Sequence, residues 1–228
     1  MSETIALRAA DGFTSPAYVA RPAGVVRGAV VVVQEIFGVN AHIRAVADGY
    51  AAAGYLAIAP DAFHRVQPGV ALGYSPEDIQ AGIALKTRVE ALPAPGVMPD
   101  LQAAVDHAGA DGQKVAMVGY CWGGLLTWRS ACLLHGLSAA APYYGGGMTV
   151  GAERTRQPQC PVLCHFGAQD HAIALDTVEA FRQAQPAVEV QVYDAQHGFN
   201  CDQRGSYDAV AAALARDRTL AFFARHMG

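Results

Sequence analysis

Four short hydrophobic runs constrain the fold of this 228-residue sequence more than any other feature. They are 29–33 (AVVVV), 55–59 (YLAIA), 114–118 (KVAMV) and 161–166 (PVLCHF). Strands that are hydrophobic at nearly every position are expected where helices cover both faces of a parallel sheet, whereas strands with one wet face alternate. The sequence therefore predicts an α/β fold with a mostly parallel, buried sheet.

One pattern recurs along the chain: an apolar run, a turn with Gly or Pro, and an Ala-rich segment with helical spacing. The first two strands alternate instead, which indicates an antiparallel edge at the N-terminus. This order predicts an open sheet whose chemistry lies in loops at the carboxyl ends of strands. The predicted strands are 4–7, 17–21, 28–34, 56–59, 114–120, 139–143, 161–166 and 188–193, and the predicted helices are 42–53, 76–91, 99–108, 123–134, 172–183 and 207–226.

Composition excludes several classes of protein. With 52% hydrophobic and 16% charged residues, the chain is too apolar to be disordered. A net charge of −4 with scattered basic residues argues against nucleic acid as a partner. No apolar run approaches the ~20 residues of a membrane helix. The length predicts a single domain over 1–228. Five cysteines without zinc-knuckle spacing, and no visible signal peptide, predict free thiols and a cytoplasmic location.

The strongest candidate for chemistry is Cys121, in the run Gly119-Tyr-Cys-Trp-Gly-Gly124. This is the G-x-S-x-G nucleophile elbow with Cys in place of Ser, and it lies between a predicted strand and a predicted helix. Glycines flank the nucleophile because strand and helix must approach closely there. At a helix N-terminus, backbone N–H groups favour a thiolate. The alternative is that Cys121 is a small buried hydrophobic residue.

A thiol nucleophile needs a base, and the base needs an orienting carboxylate. Asp170 and His197 follow the last two predicted strands, in the order nucleophile, acid, histidine that this architecture uses. The predicted triad is Cys121, Asp170 and His197. Asp170 could instead cap the helix predicted from Ala172, and His197 could be an ordinary loop residue. The remaining histidines lie beside the acid or on predicted elements and early loops.

Glu35 follows the first buried strand, in the loop that contributes an oxyanion-hole N–H in such folds. A carboxylate near developing negative charge is unfavourable, so Glu35 has two readings. It could take part in the chemistry, or it could be a solvated loop residue at the start of the next helix. Composition does not choose between them.

Six motifs together resemble the dienelactone hydrolase (carboxymethylenebutenolidase) family. They are QEIFGVN (34–40), APDAFHR (59–65), GYCWGG (119–124), PYYGG (142–146), FGAQD (166–170) and HGF (197–199). The resemblance runs from about Gly28 to the C-terminus. It implies an α/β-hydrolase fold without a large lid domain. It also implies that Glu35 pairs with the resting thiol and takes up its proton, and that Ile36 and Trp122 supply the oxyanion-hole N–H groups.

The sequence departs from the family at one position. The family places an Arg four residues after the catalytic His to hold the substrate carboxylate, and here that residue is Cys201. A thiol cannot make the two-pronged contact of a guanidinium. The candidates to replace it are Arg204, Arg88 and Arg65, and each could equally be a solvated surface residue.

The resulting prediction is a cysteine-dependent hydrolase of a small lactone or activated ester, most simply dienelactone-type, converting 4-carboxymethylenebut-2-en-4-olide to maleylacetate. A general short-chain carboxylesterase or thioesterase is the alternative, and a thiol redox or sensing protein is a remote one. Phe37, Tyr144 and Phe199 are predicted to line the pocket, with Cys201 beside them. We expect no cofactor and no metal, because Cys160 and Cys164 lack a completing ligand. The expected partner is a small-molecule substrate, without nucleic acid or membrane, for a monomer or small homo-oligomer.

Overall fold

A computed structural model describes residues 2–228 and arranges their eight strands in one sheet, in the order β1-β2-β4-β3-β5-β6-β7-β8. Every strand that the sequence predicts is present. The bounds are β1 Ser2–Arg8, β2 Thr14–Ala20, β3 Ala29–Val33, β4 Leu56–Pro60, β5 Val115–Tyr120, β6 Leu137–Tyr143, β7 Leu163–Gly167 and β8 Glu189–Tyr193.

Strand directions match the predicted mostly parallel sheet with an antiparallel N-terminal edge. β1 pairs antiparallel with β2, and β2 pairs antiparallel with β4, while β3 to β8 pair in parallel. β2 begins at Thr14, three residues before its predicted start, because Arg8 and Thr14 are already paired across the hairpin. Pairing across a turn is a tertiary contact that local alternation does not reveal.

Six helices cover the sheet: α1 Ala41–Ala52, α2 Pro76–Glu90, α3 Met98–Ala108, α4 Trp122–Leu133, α5 Leu175–Ala184 and α6 Ala209–Met227. All six were predicted, and a short 3₁₀ helix at Glu153–Thr155 was not. α5 starts three residues later than predicted. α6 starts at Ala209 because the Asp208 side chain accepts hydrogen bonds from the N–H groups of Val210 and Ala211.

The core lies on both faces of the central strands. Every residue of β3, β4 and β5 is buried, so helices cover both sides of these strands. Among the described residues, no helix is long and apolar enough to cross a membrane.

Parallel pairing sets the position of the site. β3, β5, β7 and β8 all run in the same direction, so the loops that follow them emerge at the same edge of the sheet. These loops carry Glu35, Cys121, Asp170 and His197. Residues from distant parts of the chain can therefore meet there.

Candidate active site

Cys121 sits at the sharp turn between β5 and α4, with φ 55° and ψ −119°. A non-glycine residue in this region is strained, and such strain is typical of functional turns. The flanking glycines are required by close approach. A Cβ on Gly119 would clash with the carbonyl of Gly123, and a Cβ on Gly123 would clash with the carbonyl of Gln34. This is the steric reason that the sequence suggested for the elbow.

The backbone around Cys121 is fixed from several sides. Its N–H donates to the carbonyl of Tyr143 at 3.1 Å. Trp122 is the first residue of α4, where backbone N–H groups have no partner within the helix. The Trp122 indole stacks on Phe63, with ring centroids 5.1 Å apart, and donates from Nε1 to Glu90 at 2.8 Å. The APDAFHR motif thus supports the residue that follows the thiol.

Asp170 and His197 are in direct contact, with Asp170 Oδ2 and His197 Nδ1 2.7 Å apart. Asp170 uses its other oxygen for the loop, because Oδ1 accepts from the N–H groups of Ala172 and Ile173 at 2.8 and 3.2 Å. α5 therefore begins only at Leu175, after this turn. Asp170 therefore does not cap the helix, whose N-cap is Ala174; one of its oxygens closes the preceding turn and the other contacts His197.

The pKa of His197 is raised from its ordinary value to about 10. Burial acts in the opposite direction, since it disfavours the charged ring, but the charge of Cys121 and hydrogen bonds to Asp170 and Cys121 outweigh it. This environment favours the protonated ring of His197.

Glu35 is fully buried, so the reading of a solvated loop residue is wrong. It does not begin a helix either, since α1 starts at Ala41 with Asn40 as its N-cap. Its Oε1 accepts a hydrogen bond from Arg204 Nη1 at 3.2 Å, while its Oε2 has no hydrogen-bond partner. One oxygen of a buried carboxylate is thus left free.

Arg204 is the predicted anchor candidate that reaches this group. Its guanidinium carbon lies 5.8 Å from the centre of the Phe37 ring, and the charges of Glu35 and Cys121 raise its pKa against the effect of burial. Gly198 makes room for it, because a Cβ at that position would run into the Arg204 guanidinium. Gly198 is also left-handed, with φ 78°.

The other two arginines are engaged elsewhere. Arg65 binds Asp100 through two hydrogen bonds of 2.6 and 2.7 Å and Asp11 at 2.8 Å. Arg88 is exposed and donates to Gln67 and to the carbonyl of Val66. The structure does not bring either of them into contact with Glu35 or the triad.

Cys201 is fully buried beside Glu35. Burial, and then the charge of Glu35, raise the pKa of its thiol to about 11, so it is a neutral thiol. A neutral thiol cannot hold a substrate carboxylate as the guanidinium of an Arg would.

Three aromatic residues predicted for the pocket are fully or almost fully buried. Tyr144 lies edge-on to His197, with centroids 5.1 Å apart, and Phe199 lies 5.2 Å from Tyr144. Phe37 packs on Tyr74 at 4.5 Å. The Tyr144 hydroxyl is buried without a hydrogen-bond partner, and burial followed by the charges of Glu35 and Cys121 raises its pKa. These rings form a wall behind the reactive groups.

A family model described as "Dienelactone hydrolase family" matches residues 15–227. The chain belongs to the dienelactone hydrolase family. The fold-level and family-level predictions from the sequence motifs are therefore confirmed.

Similar proteins agree with this membership. A carboxymethylenebutenolidase of Pseudomonas putida is 33% identical over 231 residues, covering 98% of this chain and 97% of that protein. A Synechocystis protein assigned the same name is 36% identical over 224 residues, covering 90% of this chain and 89% of its own. The crystal structure of an assigned dienelactone hydrolase from Klebsiella pneumoniae has a TM-score of 0.82 at 33% identity, with 99% of each chain covered. The protein is thus a hydrolase of a lactone- and ester-cleaving family.

Sequence reasoning missed three residues around this site: Gly198, His42 and Asp202. Gly198 opens the space that Arg204 fills. His42 is buried with its Nδ1 3.2 Å from Asp202, yet its position on a predicted helix gave no reason to place it near Glu35. A cavity of about 760 Å³, lined by Glu90, Arg129 and their neighbours, includes no residue of the proposed triad.

Proposed function

We propose that this dienelactone hydrolase-family protein uses Cys121 as its nucleophile, His197 as acid and base, and Asp170 to orient His197. The observation that carries the proposal is the environment of His197, which holds the ring in place and favours its protonated form. Its ring is held by Asp170 at 2.7 Å, and Cys121 helps to raise its pKa to about 10. A cysteine nucleophile attacks as the thiolate, which such an imidazolium stabilises.

The reaction follows from this arrangement. The Cys121 thiolate attacks the carbonyl carbon, and the negative charge moves to the carbonyl oxygen. The N–H groups of Ile36 and Trp122 stabilise that oxygen. The adduct collapses to a thioester as the ring oxygen leaves with its electron pair. His197 can then protonate this leaving oxygen. His197 then takes a proton from water, the resulting hydroxide attacks the thioester, and Cys121 leaves as the thiolate.

The chemistry of the thiolate limits the substrate. A thiolate is itself a good leaving group, so an adduct with a poorer leaving group collapses back to substrate. Enol lactones and activated esters, whose oxygen leaves readily, therefore suit this site better than amides. The proposed dienelactone-type reaction, 4-carboxymethylenebut-2-en-4-olide to maleylacetate, expels an enolate and meets this requirement.

Glu35 and Arg204 give the site a means of responding to a substrate carboxylate. Arg204 Nη1 holds Glu35 Oε1 at 3.2 Å, so a carboxylate that binds Arg204 competes with Glu35 for the guanidinium. Glu35 then takes the proton of the Cys121 thiol, and the thiolate pairs with the His197 imidazolium only after that step. Arg204 thus serves as the carboxylate anchor, and Phe37, Tyr144 and Phe199 shape the pocket. The free thiols of all five cysteines are in keeping with a cytoplasmic location.

A second candidate is a short-chain carboxylesterase or thioesterase without a carboxylate anchor. It is favoured by the engagement of Arg204 with Glu35 and by the buried thiol of Cys201 where the family has an Arg. If Arg204 remains bound to Glu35 during turnover, the site has no cation left for a substrate carboxylate.

The test compares cis- and trans-dienelactone with p-nitrophenyl acetate and butyrate, for the parent, Cys121→Ala and Cys160→Ser. We expect the parent to hydrolyse dienelactone with the higher kcat/KM, and Cys121→Ala to lose about 10³-fold or more on every substrate. Cys160→Ser, which changes a half-buried thiol outside the site, should retain activity.

Hydrolysis of the simple esters but not of dienelactone would replace the first candidate by the second. Full activity in Cys121→Ala would overturn the nucleophile. If the parent hydrolyses nothing but consumes peroxide through one thiol, the protein is a redox protein rather than a hydrolase.

A further inference from the structure

Three potential metal ligands meet in the interior beside the proposed triad. They are Glu35 after β3, His42 on α1 and Cys201 in the loop before α6. A carboxylate oxygen, a ring nitrogen and Sγ from these residues all lie within 4.8 Å of one another, and all three residues are buried. None of the steps proposed for hydrolysis uses His42 or Cys201.

Two atoms of this cluster are buried without a hydrogen-bond partner: Glu35 Oε2 and His42 Nε2. Leaving a buried polar atom unpaired costs about 1–3 kcal/mol, and two at one place call for an explanation. The second polar atom of each of these two side chains does have a hydrogen-bond partner. Arg204 holds Glu35 Oε1 at 3.2 Å, and Asp202 holds His42 Nδ1 at 3.2 Å.

The contact between His42 and Asp202 resembles the outer shell of a metal site. Histidines that bind metals usually donate their second N–H to a carboxylate or carbonyl, which fixes the tautomer and aims the free nitrogen. With the Asp202 carboxylate as acceptor, His42 Nδ1 carries the proton and Nε2 keeps a lone pair that a metal ion can use.

We propose that Glu35 Oε2, His42 Nε2 and Cys201 Sγ form a binding site for a thiophilic divalent cation of the Zn²⁺ class. One thiolate, one imidazole and one carboxylate are ligands that zinc accepts, with a fourth position left for water. Ligand atoms of a tetrahedral zinc site lie about 3–4 Å apart, so the cluster must contract by about 1 Å. As the Zn–S bond forms, the Cys201 proton leaves to solvent.

Charge balance and access also suit a cation. The thiolate and the carboxylate together neutralise the two positive charges of the ion, and Arg204 keeps its contact with Oε1. A cavity of about 300 Å³, lined by residues of α1, α6 and the loop 200–207, reaches both His42 and Asp202. An ion entering this cavity meets the cluster at His42, the one ligand in its lining.

Occupancy would hold Glu35 in place and prevent it from accepting the Cys121 proton. Reversible inhibition by zinc is therefore the expected consequence, and this consequence alone rests on the proposed function. The binding itself does not depend on it.

The test measures Zn²⁺ binding to the full chain by calorimetry and Co²⁺ binding by visible absorption, both without substrate. We expect one ion per chain, with a sulfur-to-cobalt charge-transfer band. Cys201→Ser should abolish that band, and Cys201→Ser and His42→Gln should each weaken zinc binding about 100-fold or more. Asp202→Asn, at an exposed side chain whose loss should not unfold the protein, should weaken zinc binding about 10-fold.

Two control variants separate this site from other thiols. Cys121→Ser and Cys160→Ser should bind zinc as the parent does. If Cys121→Ser loses the ion while Cys201→Ser keeps it, zinc binds at the nucleophile and the proposal is overturned. Absence of stoichiometric binding to the parent, or unchanged binding in folded Asp202→Asn and His42→Gln, would overturn it as well. Tight binding without inhibition would support the site and remove the role of Glu35.

Discussion

Two buried histidines in this protein have pKa values shifted in opposite directions. In β7, both ring nitrogens of His165 contact hydroxyl groups, Tyr193 at 2.8 Å and Thr219 at 2.9 Å, and the pKa is lowered to about 3. After β8, His197 contacts Asp170 at 2.7 Å, and Cys121 together with Asp170 raises its pKa to about 10. Burial is the largest single influence on both rings, and in both it favours the neutral form.

The difference lies in the charge of the partners. Hydroxyl groups satisfy the hydrogen bonds of His165 but cannot compensate a positive ring, so it stays neutral as part of the core. A carboxylate and a thiolate can compensate the charge on His197, and together they outweigh the effect of burial there. The same residue type therefore serves structure in one place and proton transfer in the other, and its partners decide which.

The largest expected effect comes from removing the charge that holds His197. Asp170→Asn should lower the pKa of His197 and favour the wrong tautomer, reducing kcat/KM for p-nitrophenyl acetate by about 10³-fold. Steady-state rates across pH 6–9 provide the measurement. The matched control is Asp194→Asn, an exposed carboxylate bonded to Gln169, which should stay within about twofold of the parent. Parent-like rates in Asp170→Asn would mean that Asp170 serves only the loop.

His165 should make the protein sensitive to acid. Its folded pKa of about 3 lies below the ordinary value of 6.5, so the unfolded chain binds a proton that the folded chain does not. Stability is therefore complete above pH 6.5 and lost as the pH falls, by about 2 kcal/mol between pH 6.5 and 5. Denaturant unfolding at several pH values measures this slope.

The matching variants test the source of that slope. His165→Asn should flatten it, while His171→Gln, at an exposed histidine, should leave it unchanged. An equal slope in His165→Asn would show that other groups cause the acid sensitivity. His197 has the opposite sign: its raised pKa contributes stability below pH 6.5, and this contribution is lost as the pH rises toward about 10.

The smallest expected effect concerns Arg204, the positively charged side chain that contacts Glu35. Gly198→Ala places a methyl group against the Arg204 guanidinium at a left-handed position, so Arg204 should move away from Glu35. We expect KM for a carboxylate-bearing lactone to rise about 10-fold, equivalent to about 1.4 kcal/mol, with little change for p-nitrophenyl acetate. Gly205→Ala is the control, since a Cβ there meets no neighbour within 4 Å. Equal losses on both substrates would argue against a carboxylate anchor.

Local pattern made much of this architecture predictable. The run around Cys121 carries its own explanation, because the glycines, the preceding strand and the following helix are all visible in the sequence. The order of the strands in a parallel sheet then placed Asp170 and His197 at the same edge. Predictions of this kind depend on residues close in sequence and on one topological rule.

Contacts between distant residues were not predictable in this way. Arg204 and Glu35 are separated by 169 positions, and nothing near either residue indicates that they pair. Three arginines were therefore equally plausible anchors until the space above Gly198 was known. The same holds for His42 and Cys201, because helical position and residue type do not show which buried atoms face each other.

Asp170 also has a consequence for how this protein can diversify. Because one oxygen closes the turn at 172–173 and the other aims His197, the shape of that loop and the aim of the base cannot vary independently. A proline at 172 or 173, which removes one of these backbone donors, should therefore lower activity as well as alter the loop. The exposed turn at 67–69 carries no such double duty. Substitutions in that turn should therefore be tolerated more readily than substitutions in the loop that Asp170 closes.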